Sequence, residues 1–223
     1  MRRIILMVAV GIMVMLFGAT AQTAVFTNGS FENGLYNSGS NDFNTLLSGS
    51  NDIDGWVVGG AGIDWINAYW TAADGTKSID LAGTPNGPGR ISQTFDTTPG
   101  RLYDVTFAMS GNPDDQATSP IKALLGFASS GGSFTGGTFE YFITTGSFRI
   151  GGMDWSERSF QFLALGDQTT LTFANNDFLN PTNPWGAALD DVKVTGVPEA
   201  GALLLFGSGL IGLVGYRRVR RMQ

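Results

Sequence analysis

The sequence predicts an all-β body of the sandwich or barrel class, on three observations. Apolar and polar residues alternate with period two in several short stretches, clusters of Gly, Pro, Asn and Asp punctuate the chain, and no long stretch sustains a helical period. Ile91, Gln93 and Phe95 alternate with Ser92, Thr94 and Asp96, and Tyr103, Val105, Phe107 and Met109 share one parity. Phe160 and Phe162, Leu171 and Phe173, and Val192 and Val194 repeat the pattern further along. Alternation of this kind gives a strand one wet and one buried face. Many short strands between turn signals favour a sandwich or barrel over a βαβ fold. Asn33 to Asp54 reads as a long loop with Leu46 and Leu47 tucked down, and residues 112–120 (NPDDQATSP) as a turn-rich connection. The body, residues 22–197, has a length usual for one domain and contains no internal repeat.

The two ends differ from the body. Arg2 and Arg3 precede an apolar run from Ile4 to Phe17, which closes on Ala19-Thr20-Ala21. A basic start, a short apolar middle and an A-x-A end predict a signal peptide over residues 1–21. The alternative, an uncleaved anchor, is disfavoured because the run falls short of the ~20 residues of a spanning helix. At the other end Val197-Pro198-Glu199-Ala200 precedes an uncharged stretch, 201–216, and then Arg217, Arg218, Arg220 and Arg221. Basic residues beside a span stay on the cytoplasmic side, so the body is expected outside. Val-Pro-Glu, a short Leu/Gly-rich helix and a terminal arginine patch, in that order over residues 197–223, resemble the PEP-CTERM sorting signal of Gram-negative bacteria. The resemblance implies that Val197, Pro198 and Glu199 form a motif read by an exosortase, a membrane transpeptidase-like enzyme. It implies membrane contact through the 201–216 helix before processing. Ala200 departs from the pattern, which has a second proline there. A plain C-terminal anchor helix is the alternative.

Charge narrows the partners. Between the end segments lie seven basic and eighteen acidic residues, a net charge of −11. Nucleic acid requires clustered Lys and Arg, so it is excluded as an expected partner. The chain has no cysteine, and a body of this size is expected to hold together through its core.

With no histidine and no cysteine, Ser-His-Asp, Cys-His and His-ligated zinc machinery are absent, and no glycine-rich phosphate loop occurs. Glycosidase chemistry needs only two carboxylates, but no pair stands in a context that marks it as buried and opposed. Most of the carboxylates are expected in solvent or in Asx-type turns. Asp190 shares the parity of Val192 and Val194 and is therefore expected to point inward. An inward carboxylate needs a partner. Glu32, following Phe31 near the start of the body, is the expected one, and the two with backbone carbonyls compose a Ca²⁺ site of oxygen ligands. The alternative is that Asp190 caps a turn or pairs with a basic residue. Sugar binding would use exposed aromatic platforms with polar neighbours. The candidates are Trp65, Tyr69, Trp70 and Trp155, with Asp64, Asn67 and Asp154 beside them. Trp65 and Trp155 lead because each adjoins an aspartate, whereas Trp56 and Trp185 read as packing residues.

A wider set of motifs follows in order along the chain: NGSFENG from Asn28, Gly55-Trp56, IDWINAYWTAADGTKSIDLAG over 63–83, ISQTF over 91–95 and ALDDVKV over 188–194. This set resembles the choice-of-anchor C domain, which is similar to the galactose-binding-like jelly roll that includes plant cell-wall proteins and several carbohydrate-binding modules. The resemblance implies a two-sheet antiparallel jelly roll. It also implies a structural calcium with Glu32 and Asp190 in the ligand positions and Asp80 as a further candidate. Asp191 has the opposite parity. The reading that follows is an exported surface or matrix protein, sorted through its tail, whose non-catalytic body associates with extracellular polysaccharide in an envelope or biofilm. A hydrolase working through a carboxylate pair and a passive coat protein are the alternatives.

Overall fold

The computed structural model describes residues 25–198, apart from 38, 40–41, 85–86, 116–118, 145–149 and 177–182. The predicted signal peptide, the 201–216 helix and Glu199 lie outside the described residues. Among the described residues no helix is long and apolar enough to cross a membrane.

The fold is an all-β, two-sheet antiparallel sandwich. Its strands are β1 (Phe43–Leu46), β2 (Val57–Gly60), β3 (Ile63–Ile66), β4 (Ser78–Asp80), β5 (Ala82–Gly83), β6 (Gly87–Asp96), β7 (Leu102–Gly111), β8 (Ile121–Ser130), β9 (Ser133–Phe142), β10 (Ser156–Leu163), β11 (Gln168–Asn175) and β12 (Ala187–Gly196). One sheet runs β1-β3-β4-β12-β7-β10 and the other β2-β6-β11-β8-β9, with β5 also on β6. The chain passes repeatedly from one sheet to the other, which is the wrapping of a jelly roll. Alternation read from the sequence holds in β6, where burial follows a strict every-second-residue rhythm. It holds in β7 too, where Val105, Phe107 and Met109 enter the core. These side chains meet Leu171 and Phe173 from β11 and Leu189 from β12 between the sheets.

Two tryptophans explain the first motif. Asn28 and Phe31 both adopt the left-handed region, at φ 54° and 59°, a conformation that is unfavourable for a bulky side chain. The Trp56 indole N–H donates to the Asn28 carbonyl at 2.9 Å and the Trp65 indole N–H to the Phe31 carbonyl at 3.0 Å. Phe31 then lies against Trp56, ring centroids 5.3 Å apart, fully buried. NGSFE and the two tryptophans thus form one structural unit.

The structure corrects three sequence expectations. The 33–54 loop contains β1, in which Leu46 is buried, while Leu47 is exposed. Trp185 is 36% exposed rather than packed away. Asp190 does not share the face of Val192. Asp191 sits at φ 48°, and the register of β12 on β7 shifts between Asp190 and Lys193. This β-bulge reverses the parity of everything before it. Leu189 and Val192 enter the main core, whereas Ala188 belongs to a second cluster on the outer face of the sheet that contains β12. Asp190 shares the parity of Ala188.

Candidate functional site

The outer face of the β1-β3-β4-β12-β7-β10 sheet, called the six-stranded sheet for its unbranched order, is where most of the sequence-predicted residues gather. Asp64 on β3 stands directly opposite Asp80 on β4, and Asp80 opposite Ala188 on β12. Loops cover this face. Ile66, Trp70, Met153 and Ala188 are buried beneath them, and Phe43, Tyr69 and Trp155 pack around them while half-exposed. Trp70 donates to the Ser78 hydroxyl at 2.7 Å and Trp155 to the Thr71 carbonyl at 2.9 Å. The Tyr69 hydroxyl donates to Asp114, and its ring meets Phe43 and Trp70 edge-on at 5.4 and 5.6 Å.

Between these rings lies a cavity of about 30 Å³ lined by Phe43, Asp64, Ile66, Tyr69, Asp80, Thr84, Asn112 and Trp185. It has room for one or two water-sized groups, so it accepts a hydroxyl and not a whole sugar ring. Asp64 accepts from the Thr45 hydroxyl at 2.6 Å, the Thr84 hydroxyl at 2.7 Å and the Thr84 amide. Asp80 accepts from the amides of Ala82 and Gly186 and from the Asn112 side chain, each at 2.9 Å. Burial raises the Asp64 carboxyl above the usual range, against the pull of Thr45 and Thr84. Burial and then the neighbouring Asp64 charge push Asp80 up to about 8, against its three N–H donors.

Several candidates leave this face or change role. Trp65 is fully buried between the sheets and presents no ring to solvent. Trp70 is likewise buried. Asp154 is exposed with φ 48°, and its carbonyl accepts the Tyr141 hydroxyl at 3.0 Å. Its side chain is not among those lining the cavity. Asn67 anchors a turn instead, its amide donating to the Asp42 carbonyl at 2.9 Å. Phe43, Thr84, Asn112 and Trp185 join the site unforeseen. Trp185 carried a readable signal, since an aromatic flanked by Pro184 and Gly186 lies on a loop.

Glu32 and Asp190 hold a loop from two sides. Asp190 accepts from the amides of Ala73 and Asp74 at 2.8 and 3.0 Å and from that of Asp191 at 2.7 Å. Glu32 accepts from the amides of Thr76 and Lys77 at 2.8 and 2.6 Å and from the Thr76 hydroxyl at 2.8 Å, with the Lys77 ammonium 3.6 Å away. Between them Gly75 turns at φ 68°, and a Cβ there would stand 2.5 Å from Glu32 Oε1. Burial pushes Glu32 up, but these donors outweigh it and keep the carboxyl below its ordinary value. Burial pushes Asp190 up to about 7, against its three amides. Three of the four acceptor positions on each carboxylate are taken, by three amides on Asp190 and by two amides and the Thr76 hydroxyl on Glu32, whereas calcium requires oxygens turned toward it and free of donors. The donor set therefore fits a loop clamp and not a cation held between the two carboxylates. Asp80, 1% exposed and enclosed by N–H donors, fits a cation no better. Among the described residues no three acidic groups converge.

A wider groove of about 380 Å³, lined by Val25, Phe26, Phe95, Tyr103 and Val194 among others, offers less. Its rings are engaged in packing: Phe26 lies edge-on to Trp56 and Phe95, and Tyr103 stacks on Phe162 at 5.2 Å.

Residues 24–195 match the family model described as protein of unknown function (DUF642). Halomucin of Haloquadratum walsbyi is 28% identical over 176 residues, 78% of this chain and 2% of that one. The chain thus spans a small fraction of the length of the curated relative it matches. Among solved structures it is similar to TmCBM61 in complex with beta-1,4-galactotriose, at 14% identity over 79% of this chain and 100% of that one, TM-score 0.46. It is also similar to the CBM22-1 xylan-binding domain of Paenibacillus barcinonensis Xyn10C, at 16% identity over 72% and 99%, TM-score 0.43. A further similar structure is the arabinose-bound MgGH51 α-L-arabinofuranosidase, at 7% identity over 78% and 26%, TM-score 0.48.

Proposed function

The chain belongs to the DUF642 family, and from that premise we propose that it is an exported, non-catalytic sandwich that associates with neutral polysaccharide. The contact is made on the outer face of the six-stranded sheet. The observation that carries this reading is the meeting on one cavity of the aromatic residues Tyr69, Phe43 and Trp185 with the polar residues Asp64, Asp80, Thr84 and Asn112. Rings supply a face for a sugar to stack on, and hydroxyl and amide groups fix its orientation. A neutral polymer is favoured because a body of net charge −11 repels an acidic one.

Catalysis is disfavoured by access. Asp64 and Asp80 are 3% and 1% exposed, and the cavity has no room for a glycosidic bond between them. Export and sorting are supported by the order of motifs at the two ends. That part of the reading fails if the protein isolated from its host envelope retains residues 1–21 and 201–223.

The binding test is retention of the full chain on β-1,4-galactan and xylan, with polygalacturonate as the acidic control. Retention on a neutral glycan, weakened in Trp185→Ala, is expected. No retention on either neutral glycan, or retention unchanged in a Tyr69→Ala/Trp185→Ala double variant, overturns the reading.

A further inference from the structure

A second constellation lies beside β8, joined to the aromatic cavity through the backbone of Trp185. Lys122, second residue of β8, points into the sandwich and is 0% exposed. Its stem passes over Gly111 on β7, where a Cβ would stand 2.8 Å from Lys122 Cγ and 2.7 Å from Ile143. Opposite it on β9 is the buried ring of Tyr141. In this apolar setting the ammonium donates to Asp115, itself 1% exposed, and to the Trp185 carbonyl at 2.7 Å. The same Asp115 oxygen, Oδ2, accepts from the side-chain amide of Asn183, 4% exposed. The Trp185 backbone N–H donates to Asn183 Oδ1 at 3.0 Å, which also fixes which end of that amide is oxygen.

We propose that Lys122 and Asn183 are joined by an intramolecular isopeptide bond, formed autocatalytically with Asp115 as proton carrier. One carboxylate oxygen shared by both groups keeps the amine and the amide within two hydrogen-bond lengths, at most about 6 Å. Burial and rigid strands hold them there, which is the main requirement of a reaction between two weak partners.

Asp115 takes a proton from the Lys122 ammonium, which frees the nitrogen lone pair. Nζ attacks Cγ of Asn183, and negative charge develops on Oδ1, toward which the Trp185 N–H already points. Asp115 passes its proton to Nδ2 and accepts another from Nζ. The Cγ–Nδ2 bond breaks and ammonia leaves. Of the five protons on the two nitrogens, one remains on the new amide, three leave with ammonia and the last rests on Asp115. No oxidant, metal or second substrate takes part. The product ties β8 of one sheet to the segment that leads into β12 of the other, and it anchors the loop carrying Trp185.

The test is a tryptic peptide map of the purified full chain. Expected is a branched species joining the peptide that contains Lys122 to the one that contains Asn183, lighter than their sum by one ammonia, with no cleavage after Lys122. Lys122→Arg retains the positive charge and is expected to remove the branched species, as is Asp115→Ala at unchanged Lys122 and Asn183. Cleavage after Lys122 in the native chain, with both peptides at their unmodified masses, overturns the proposal. A branched species persisting in Asp115→Ala overturns the role of Asp115.

Discussion

Replacing Trp65 by phenylalanine separates a core tryptophan from a sugar platform. The indole is fully buried, its N–H holds the Phe31 carbonyl at 3.0 Å, and its ring meets Tyr36 edge-on at 5.0 Å. Phenylalanine has no donor, so a buried carbonyl held in a left-handed turn loses its partner, at a cost of about 1–3 kcal/mol. The missing second ring leaves a void worth about 1–2 kcal/mol more in a core that relaxes only partly. A total near 3 kcal/mol corresponds to a fall in Tm of about 6–12 °C for a domain of this size. Thermal melts followed by near-ultraviolet circular dichroism measure this, and glycan retention of the folded variant below its transition is expected to equal that of the parent. A Tm within about 2 °C of the parent, together with lost retention, would refute the assignment of Trp65 to the core.

The remaining expectations concern the buried carboxylates. Asp80 titrates near 8 in the folded chain and near 3.9 when unfolded, so the folded state holds a proton that the unfolded state releases. Stability is therefore highest below about pH 4 with respect to this group, falls as pH rises toward 8 and is flat beyond, by at most about 5–6 kcal/mol. Denaturant titrations between pH 4 and 9 are expected to show that decline, reduced in Asp80→Asn; a parent whose stability rises across the same window contradicts it. Asp190→Ala leaves the amides of Ala73, Asp74 and Asp191 without their acceptor and is expected to cost about 2–4 kcal/mol. Chelator is expected to leave the Tm of the parent unchanged, because both carboxylates of the clamp are already engaged by three protein donors each. A chelator-induced fall in Tm that Asp190→Ala abolishes would restore a calcium site there.

The parts of the fold legible in the sequence are those where one strand face is wet. The rhythm of β6 is of that kind and its burial repeats it residue by residue, while in β7 it holds from Val105 to Met109 before Ser110 and Gly111 are buried as well. β3 and β4 are buried on both faces because loops cover the outer one, so parity there could not tell the core tryptophan Trp65 from the outward-facing Asp64. Asp190 departs from the parity of Val192 for a local reason. One bulge residue, Asp191, shifts the strand, and an aspartate followed by period-two valines gives no notice of it beyond the tolerance of Asp for positive φ. The exposure of Trp185 and the meeting of Lys122, Asp115 and Asn183 depend on loops brought together from distant parts of the chain. A lysine at the parity of Leu124 and Ala128 was nonetheless a visible sign, since only a partnered lysine belongs on an inward strand face.

The most direct test of the account is the dissociation constant of the full chain for a neutral polysaccharide, compared between the parent and Trp185→Ala under conditions where both are folded. Loss of a stacking face of about 1.4 kcal/mol weakens binding on the order of tenfold. Measurable affinity for β-1,4-galactan or xylan is expected, with a loss of about tenfold in Trp185→Ala and no binding to polygalacturonate. Equal affinity in parent and variant, or binding to the acidic polymer alone, would contradict it.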